Sequence, residues 1–376
     1  MRDLKEIRAD IDKIDEQIIG LFERRMDCAA EVAQYKIGTD KPVLDRSRER
    51  AKIARSRAII QNHQYDNAVE ELFMQMMSLS RRYQYSIIRR VDDYIKDHYT
   101  VVDELPINKD TVVVYQGIPG AYQEEAMVKF FGEDMKNYSV KEFEDVLIAL
   151  DEGKADYGIL PIENTSAGTV SGIYDLLLAH DVFVVGEEQV ACKHMLAGLP
   201  DTDLQEVTTV YSHPQALMQC DEFINCYSWG KANALNTAIA AKKIADEGIK
   251  RHMCICSERA AKLYGLQIYA REINRESNNC TRFVIFSKKK IFRRDAKKLS
   301  VSFSLPHEIG SLHGILGHFM FNGVNMTNLE SRPLPNRQWE YGFYIDVLGN
   351  LMDPEVENAL KGIREEVNDF KVLGNF

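Results

Sequence analysis

Apolar residues at the start of the chain recur at helical spacing. Leu4, Ile7, Ile11, Ile14, Ile18 and Leu21 lie alternately three and four apart, Cys28, Val32 and Tyr35 extend the pattern, and nothing breaks it before Gly38. At 1.5 Å per residue this predicts one helix of about 34 residues, roughly 50 Å long. A small globule cannot cover such a helix. It is expected to lie along another long helix, from a second subunit. A second helix is expected after Pro42, with Asp45 as its N-cap. A third is expected over 66–95, with an apolar stripe at Val69, Leu72, Phe73, Met76 and Met77.

The texture then changes. The polar stretch "KDHYTVVDELPINKD" (96–110) reads as a linker. After it come the short β-rich runs "TVVVYQG", "ADYGILPI", "VFVVGEE", "VTTVYS", "HMCICS" and "RFVIFS", with helical patterns between them. That alternation predicts an α/β domain with a largely parallel sheet over 111–290. The last segment, 297–376, reads strand (299–305), helix (311–322), strand (324–331), strand (339–347), helix (354–367), strand. This βαββαβ order predicts a small α+β sandwich. The expectation is therefore multidomain: an all-α domain over 1–95, the α/β domain and the α+β domain.

Composition narrows the function. The net charge of −10 argues against nucleic acid as the main partner. The first hundred residues carry as many basic as acidic side chains, so they are arginine-rich on an acidic chain, which points to an anionic ligand there. The seven cysteines form no CxxC pair and no zinc-like spacing, and read as reduced thiols of a cytoplasmic protein. Met1-Arg2-Asp3 leads into a charged amphipathic stretch, not a signal peptide, and no apolar run is long enough to span a bilayer. No membrane, metal or cofactor is implied.

Several polar residues fall where helices should pack. Arg25 occupies the seam 4, 11, 18, 25, 32, and a seam arginine is costly unless something negative meets it. Arg8 is one step off that seam. Lys36 lies three turns beyond Arg25 on the same face. Asp45, Arg48 and Glu49 share a face of the second helix, and Ser80 and Gln84 continue the apolar stripe of the third. An interhelical ion pair would explain one such residue. Three helices turning polar groups inward point to a site inside the bundle. The runs "RADIDKIDEQIIGLFERRMDCAAEVAQYK", "PVLDRSRER" and "SLSRRYQ" resemble the all-helical class of chorismate mutase. The resemblance implies that Arg8 reaches into the partner subunit's site and that Arg25 and Arg48 are the site's own cations. It implies that Lys36 and Gln84 hydrogen-bond the ether oxygen of chorismate. Asp45, Glu49 and Ser80 would hold its hydroxyl and a carboxylate.

In an open α/β sheet, ligands sit at the carboxyl ends of strands. The segments after the strands are polar: 118–122, Glu163-Asn164-Thr165-Ser166, Ser212-His213-Pro214-Gln215, and Ser257-Glu258. Each alone is explained by an N-cap; together they outline a cleft. "NNCTRFVIF" raises the sharpest question, because Asn278, Asn279, Thr281 and Arg282 lead directly into a buried strand. With "GIPGAY", "GILPIENTSAGTV", "YSHPQALMQC" and "ICSERAAKLYGL" it resembles prephenate dehydratase. That implies two α/β lobes like a periplasmic binding protein, with the site between them. Thr281 would be catalytic, and Arg282 and Phe283 would complete the family's Thr-Arg-Phe motif. Glu163, Asn164, Ser212 and Gln215 would contact substrate. Asn278 and Asn279 either touch substrate or brace the loop. Two departures from the family pattern, Gln123 and the region of Arg275, read as rim positions.

Residues 305–333 resemble the regulatory ACT domain of such dehydratases. Glu330-Ser331-Arg332-Pro333 matches its phenylalanine-site motif, and Gly310-Ser311-Leu312-His313 is a variant of a second motif with a polar fourth residue. As a whole the chain resembles the bifunctional chorismate mutase/prephenate dehydratases. The resemblance implies a cytoplasmic enzyme of phenylalanine biosynthesis that makes prephenate from chorismate and phenylpyruvate from prephenate. Phenylalanine would inhibit it, and it would be a dimer or tetramer with helices exchanged between mutase subunits. The alternatives are an arogenate-tolerant dehydratase and a phenylalanine-binding regulator without activity.

Overall fold

The three-four spacing of the first ninety residues forms three helices: α1 (Leu4–Thr39), α2 (Arg46–Ile59) and α3 (Asp66–Ile87). Glu6 in the first turn of α1 and Lys36 in its last oppose the helix dipole favourably. Asp45 caps α2 by accepting the Arg48 backbone N–H at 3.0 Å. The third helix, expected to reach 95, ends at Ile87 with Ile88 as its cap; 89–96 lie outside the described residues. The computed structural model describes residues 2–39, 41–88, 97–170, 172–276, 278–305, 307–334, 337 and 340–376. The chain forms two units, Met1–His98 with Lys297–Val372, and Tyr99–Ala296 with Leu373–Phe376. Within the helical part, Ala33, Val43, Tyr85 and Ile88 make a small core. The stripe of α1 stays outside it: exposure runs from 38% at Ile7 to 63% at Leu21.

In the α/β unit the stretch read as a linker contains a strand. β1 (Thr100–Val102) pairs in parallel with residues 291–293. Two lobes follow. The first is built from β2 (Val112–Gln116), α4 (Tyr122–Phe131), β3 (Lys136–Val140), α5 (Phe143–Asp151), β4 (Tyr157–Asn164), the short β5 (Gly168–Thr169), α6 (Ile173–Ala179) and β6 (Phe183–Ala191). The chain then builds the second lobe. Its elements are β7 (Met195–Gly198), β8 (Thr209–Ser212), α7 (Pro214–Gln219), α8 (Asp221–Ile224), β9 (Gly230–Asn233), α9 (Thr237–Glu247), β10 (His252–Cys256), α10 (Glu258–Leu263) and β11 (Gln267–Ala270). It returns through β12 (Cys280–Ser287) and β13 (Ile291–Arg293). The first sheet runs β6-β12-β4-β2-β3 and the second β11-β7-β10-β8-β9.

The largely parallel sheet expected from the strand-helix alternation is corrected here to two mixed sheets. The pairs β2–β3 and β2–β4 are parallel, but β12 lies antiparallel to both β4 and β6. The reason is the connection: β12 arrives from the other lobe, not through a helical crossover, so the parallel rule for βαβ units does not govern it. Phe283, Val284, Ile285 and Phe286 of β12 are buried between its two neighbours.

The C-terminal segment is β14 (Lys298–Ser304), α11 (Ser311–Phe321), β15 (Met326–Pro333), β16 (Tyr341–Leu348), α12 (Pro354–Glu366) and β17 (Asn368–Asn375). Strand β15 lies at the edge, beside β16. Trp339, expected to open a strand, is outside the described residues. Helices α11 and α12 approach closely at Gly362. A Cβ there would lie 2.3 Å from His318 Cε1 and 2.4 Å from Nδ1, and the His318 ring is buried. Gly362→Ala is expected to destabilise this unit by about 1–3 kcal/mol through overpacking, seen as a lower denaturation midpoint.

Candidate active sites in the two units

Strand β12 carries the polar run into the first sheet of the α/β unit. Thr281 stands opposite Asn164 of β4 on one side and Val190 of β6 on the other. Asn164 Nδ2 donates to Asn279 Oδ1 at 2.8 Å and to Thr281 Oγ1 at 2.9 Å, with the Cys280 carbonyl at 3.2 Å. Its Oδ1 accepts the backbone N–H groups of Ser166 and Ala167, each at 3.0 Å. Thr281 thus receives a hydrogen bond, and its own proton points elsewhere. Cys192 Sγ lies 3.1 Å from Oγ1. Burial pushes the Cys192 thiol up to about 11, so it stays protonated at neutral pH.

The knot continues into the second lobe. Gln219 Oε1 accepts from Asn279 Nδ2 at 3.1 Å and from His194 Nε2 at 2.9 Å. That donation puts the His194 proton on Nε2. Burial lowers the His194 pKa, which keeps the ring neutral. The Tyr122 hydroxyl lies 3.1 Å from both His194 Nδ1 and the Lys193 carbonyl. Beside this chain of bonds is a cavity of about 220 Å³ walled by Ser166, Gln215, Gln219, Asn274 and Asn279, with Arg275 and Glu276 on its exposed side. Asn279 joins the two features: it lies on the cavity wall and is one bond from Asn164.

Other expected residues fall elsewhere. Arg282 neighbours Thr281 along the strand, so its side chain takes the opposite face. It sits between Glu163 and Glu187, at 3.4 Å from each. Its charge is matched inside the protein, which makes it a brace between strands. Ser212 is fully buried and donates to the Ile255 carbonyl at 2.7 Å, so it ties β8 to β10 and does not face the cavity. Gln215 lines the cavity, and its backbone N–H is capped by His213 Nδ1 at 3.2 Å. Gln123 is not on a rim. It is buried and accepts the Gln116 N–H at 2.7 Å, clamping the end of β2. Asn278 is exposed, and its carbonyl accepts from Thr165 Oγ1 at 3.1 Å.

In the helical part, Arg25 Nη1 donates to the Met76 carbonyl at 2.9 Å and meets Ser80 Oγ. Burial lowers the Arg25 pKa. Gln84 donates to the Ser80 carbonyl at 3.2 Å, while its buried Oε1 has no partner. Such an orphan costs about 1–3 kcal/mol; as an acceptor it suits a donor, and an ether oxygen is met only by the second Nε2 hydrogen of this amide. Lys36 donates to the Val43 carbonyl at 2.7 Å. Burial lowers its pKa against the opposing charges of Glu365, Asp45 and Glu49, with Arg48 adding to the fall. Arg48 is exposed. Arg8 is exposed too, and lies about 25 Å along α1 from Arg25 by helical rise, so one protomer does not bring the two together.

Glu49 meets Arg81, whose guanidinium also holds Glu366 through Nε at 2.8 Å and Nη2 at 3.3 Å. His318 Nε2 lies 3.1 Å from the same Glu366 oxygen. Burial alone would raise the Glu366 carboxyl, but the His318 hydrogen bond and the Arg81 charge outweigh it and bring it to about 2. In the C-terminal segment, Gly310 caps α11 with φ 80°, Ser311 and Leu312 form its first turn, and Glu330, Ser331 and Arg332 lie on the edge strand β15. Arg332 pairs with Glu330 at 3.5 Å.

Comparison with known proteins adds a second line. A family model described as prephenate dehydratase matches residues 113–291, and one described as chorismate mutase type II matches 7–85. The bifunctional chorismate mutase/prephenate dehydratase of Escherichia coli (strain K12) is 30% identical over 378 residues, covering 99% of this chain and 95% of that protein. The chain belongs to the bifunctional chorismate mutase/prephenate dehydratase family. Arogenate dehydratase 1 of Petunia hybrida is 35% identical over 295 residues, 74% of this chain and 69% of that one. The crystal structure of prephenate dehydratase from Arthrobacter aurescens in complex with L-Phe superposes with a TM-score of 0.66 at 25% identity, over 70% of this chain and 89% of that one.

For this mutase/dehydratase, reasoning from sequence missed His194, Gln219 and Cys192 around Thr281, and Arg81 beside Glu49. Only the polar residue Gln219 at the end of a short apolar helix carried any signal. The Glu366 carboxyl gives a testable pH dependence. Its folded pKa lies below the ordinary value of 4.5, so its pairing stabilises the fold fully above that pH and less as pH falls toward 2. The contribution is about 3 kcal/mol at neutral pH. Glu366→Gln is expected to lower the denaturation midpoint of the helical transition at pH 7, and the gap from the parent is expected to narrow as pH drops from 5 to 2.

Proposed function

We propose that the chain performs two consecutive steps: chorismate to prephenate in the helical bundle, then prephenate to phenylpyruvate in the α/β unit. The first step is a pericyclic rearrangement that breaks a C–O bond while a C–C bond forms. It needs the enolpyruvyl chain held over the ring and negative charge stabilised on the ether oxygen. Arg25 would bind a carboxylate, with Arg48 as a second cation at the mouth. Lys36 and Gln84 would meet the ether oxygen, and Asp45, Glu49 and Ser80 the hydroxyl and a carboxylate. The observation that carries this step is the part-buried Arg25 guanidinium, which among the described residues is met by the Met76 carbonyl and the Ser80 hydroxyl and by no carboxylate, so its charge is left for an anion. Arg8 would enter the partner's site, because the exposed stripe from Leu4 to Leu21 suits pairing with a second copy of α1.

In the second step prephenate loses its ring carboxylate as CO2 and its hydroxyl as water, and one proton is taken up. The pair of electrons from the breaking C–C bond completes the aromatic ring. Thr281 would direct a proton to the departing hydroxyl. Asn164 donates to Thr281 Oγ1 and so leaves the threonine hydrogen for another acceptor, which is the observation that carries this step. Gln215 and Asn279 would contact substrate from the cavity wall, with Asn164 orienting Thr281 and the Glu163–Arg282 pair holding the strand. Tolerance of arogenate is a second reading. It is supported by Glu276, whose carboxylate at the cavity lies 2.6 Å from Ser166 Oγ and suits an ammonium group.

The C-terminal βαββαβ segment is read as an ACT domain that binds phenylalanine, with Gly310, Ser311 and Leu312 at the helix start and Glu330, Ser331 and Arg332 on the edge strand. Phenylalanine would inhibit by favouring one arrangement of the assembled subunits. An ultraviolet assay following chorismate loss and phenylpyruvate gain, with and without phenylalanine, tests the whole reading. Thr281→Val is expected to cut prephenate turnover by about 100-fold or more while chorismate turnover persists. Lys36→Ala is expected to do the reverse, lowering the mutase rate by about 100-fold or more. Near-parental rates in either variant would refute the role given to that residue.

A further inference from the structure

Helix α12 ends in two carboxylates, and both finish on the mutase helices. Glu366 grips Arg81 with both oxygens, and Arg81 holds Glu49. Glu365 accepts the Val43 backbone N–H at 3.1 Å and the Tyr85 hydroxyl at 3.0 Å. The carbonyl of that same Val43 receives Lys36 Nζ. Lys36 and Glu49, two of the side chains assigned to chorismate, therefore each end on a neighbouring carboxylate through one intermediary.

We propose that Glu365 and Glu366 are positioning residues of the mutase reaction, holding Lys36 and Glu49 in place from outside the three-helix bundle. Arg81 and Glu366 are little exposed, at 12% and 10% of their side chains, so neither is a loose surface pair. Removing one partner would leave the Arg81 charge buried and half matched, and it would pull harder on Glu49. Tyr85 is buried at the same junction, with its hydroxyl committed to Glu365. Val43 donates its N–H to Glu365 and accepts Lys36 Nζ at its carbonyl, so the two peptide units that flank it at the entry to α2 are both held. A displacement of about 1 Å at such a contact is enough to cost 10²-fold in a reaction that depends on alignment.

The inference rests on the mutase reading above, and the experiment separates the two. Chorismate kinetics are measured on the full chain for the parent, Glu366→Gln and Glu366→Asp, with prephenate turnover as the control in the same preparations. Glu366→Gln is expected to lower the mutase kcat at least tenfold, with the KM for chorismate changed less than threefold and prephenate turnover unchanged. Glu366→Asp, which keeps the charge, is expected to recover part of the loss. Glu365→Gln, whose amide oxygen can still accept from Val43 and Tyr85, is the gentler second variant and is expected to lose about threefold in kcat. Parental mutase kinetics in Glu366→Gln would overturn the inference alone. So would a loss in Glu366→Gln that merely follows a fall in helical melting, with Glu365→Gln at the parental rate. A parent chain that does not turn over chorismate would overturn the mutase reading and the inference with it.

Discussion

Taking a polar or charged side chain out of water costs several kcal/mol unless another polar group meets it. Both halves of this chain are organised around that cost. In the α/β unit the answer is a network of neutral amides. Asn164, Asn279, Gln219 and His194 satisfy one another in series, and no formal charge enters the series. In the helical part the answer is ionic. Arg81 is buried between Glu49 and Glu366, while Arg25 keeps its charge and is hydrogen-bonded to a carbonyl and a hydroxyl, with no carboxylate among the described residues.

The difference suits the two reactions. The mutase step creates charge on an ether oxygen and has no proton to move, so it uses fixed cations and donors. Arg25 without a carboxylate partner is available to an anion at little cost, since its present hydrogen bonds need not be broken by an ion-pair exchange. The dehydratase step must deliver a proton to a leaving hydroxyl. A charged neighbour would shift that proton's balance, whereas an amide network fixes the direction of the Thr281 O–H without altering its acidity much. Asn164 does this by filling the threonine's acceptor side.

Much of this could be read from the chain alone, because long periods survive averaging. The α1 stripe, the Asp45 cap and the βαββαβ order are each local patterns, and each element formed where the pattern lay. What the chain alone does not show has a physical cause. Strand alternation sends Thr281 and Arg282 to opposite faces, and Arg282 meets Glu163 and Glu187 there. Ser212 sits at a strand end where a ligand could lie, yet a single buried carbonyl, that of Ile255, claims its hydroxyl. Glu366 and Arg81 are 285 positions apart, and Asn279 and Gln219 are 60 apart. No local period reports such meetings; only the closed fold does.

That same separation gives the C-terminal segment its hold on the first helices. A bundle of three helices with one 36-residue member leaves most of α1 in solvent, and few apolar side chains are buried among its described residues. Such a core cannot by itself keep the half-buried Lys36 and Glu49 at fixed positions. The Glu366–Arg81 ion pair and the hydrogen bonds to Glu365 supply restraint where apolar contact is thin, at the junction of α2 and α3. Because Glu365 and Glu366 are adjacent on one helix end, a small rotation of α12 would release Val43 and Arg81 together. The geometry that steadies Lys36 and Glu49 is also the means by which a change in the C-terminal segment would reach them.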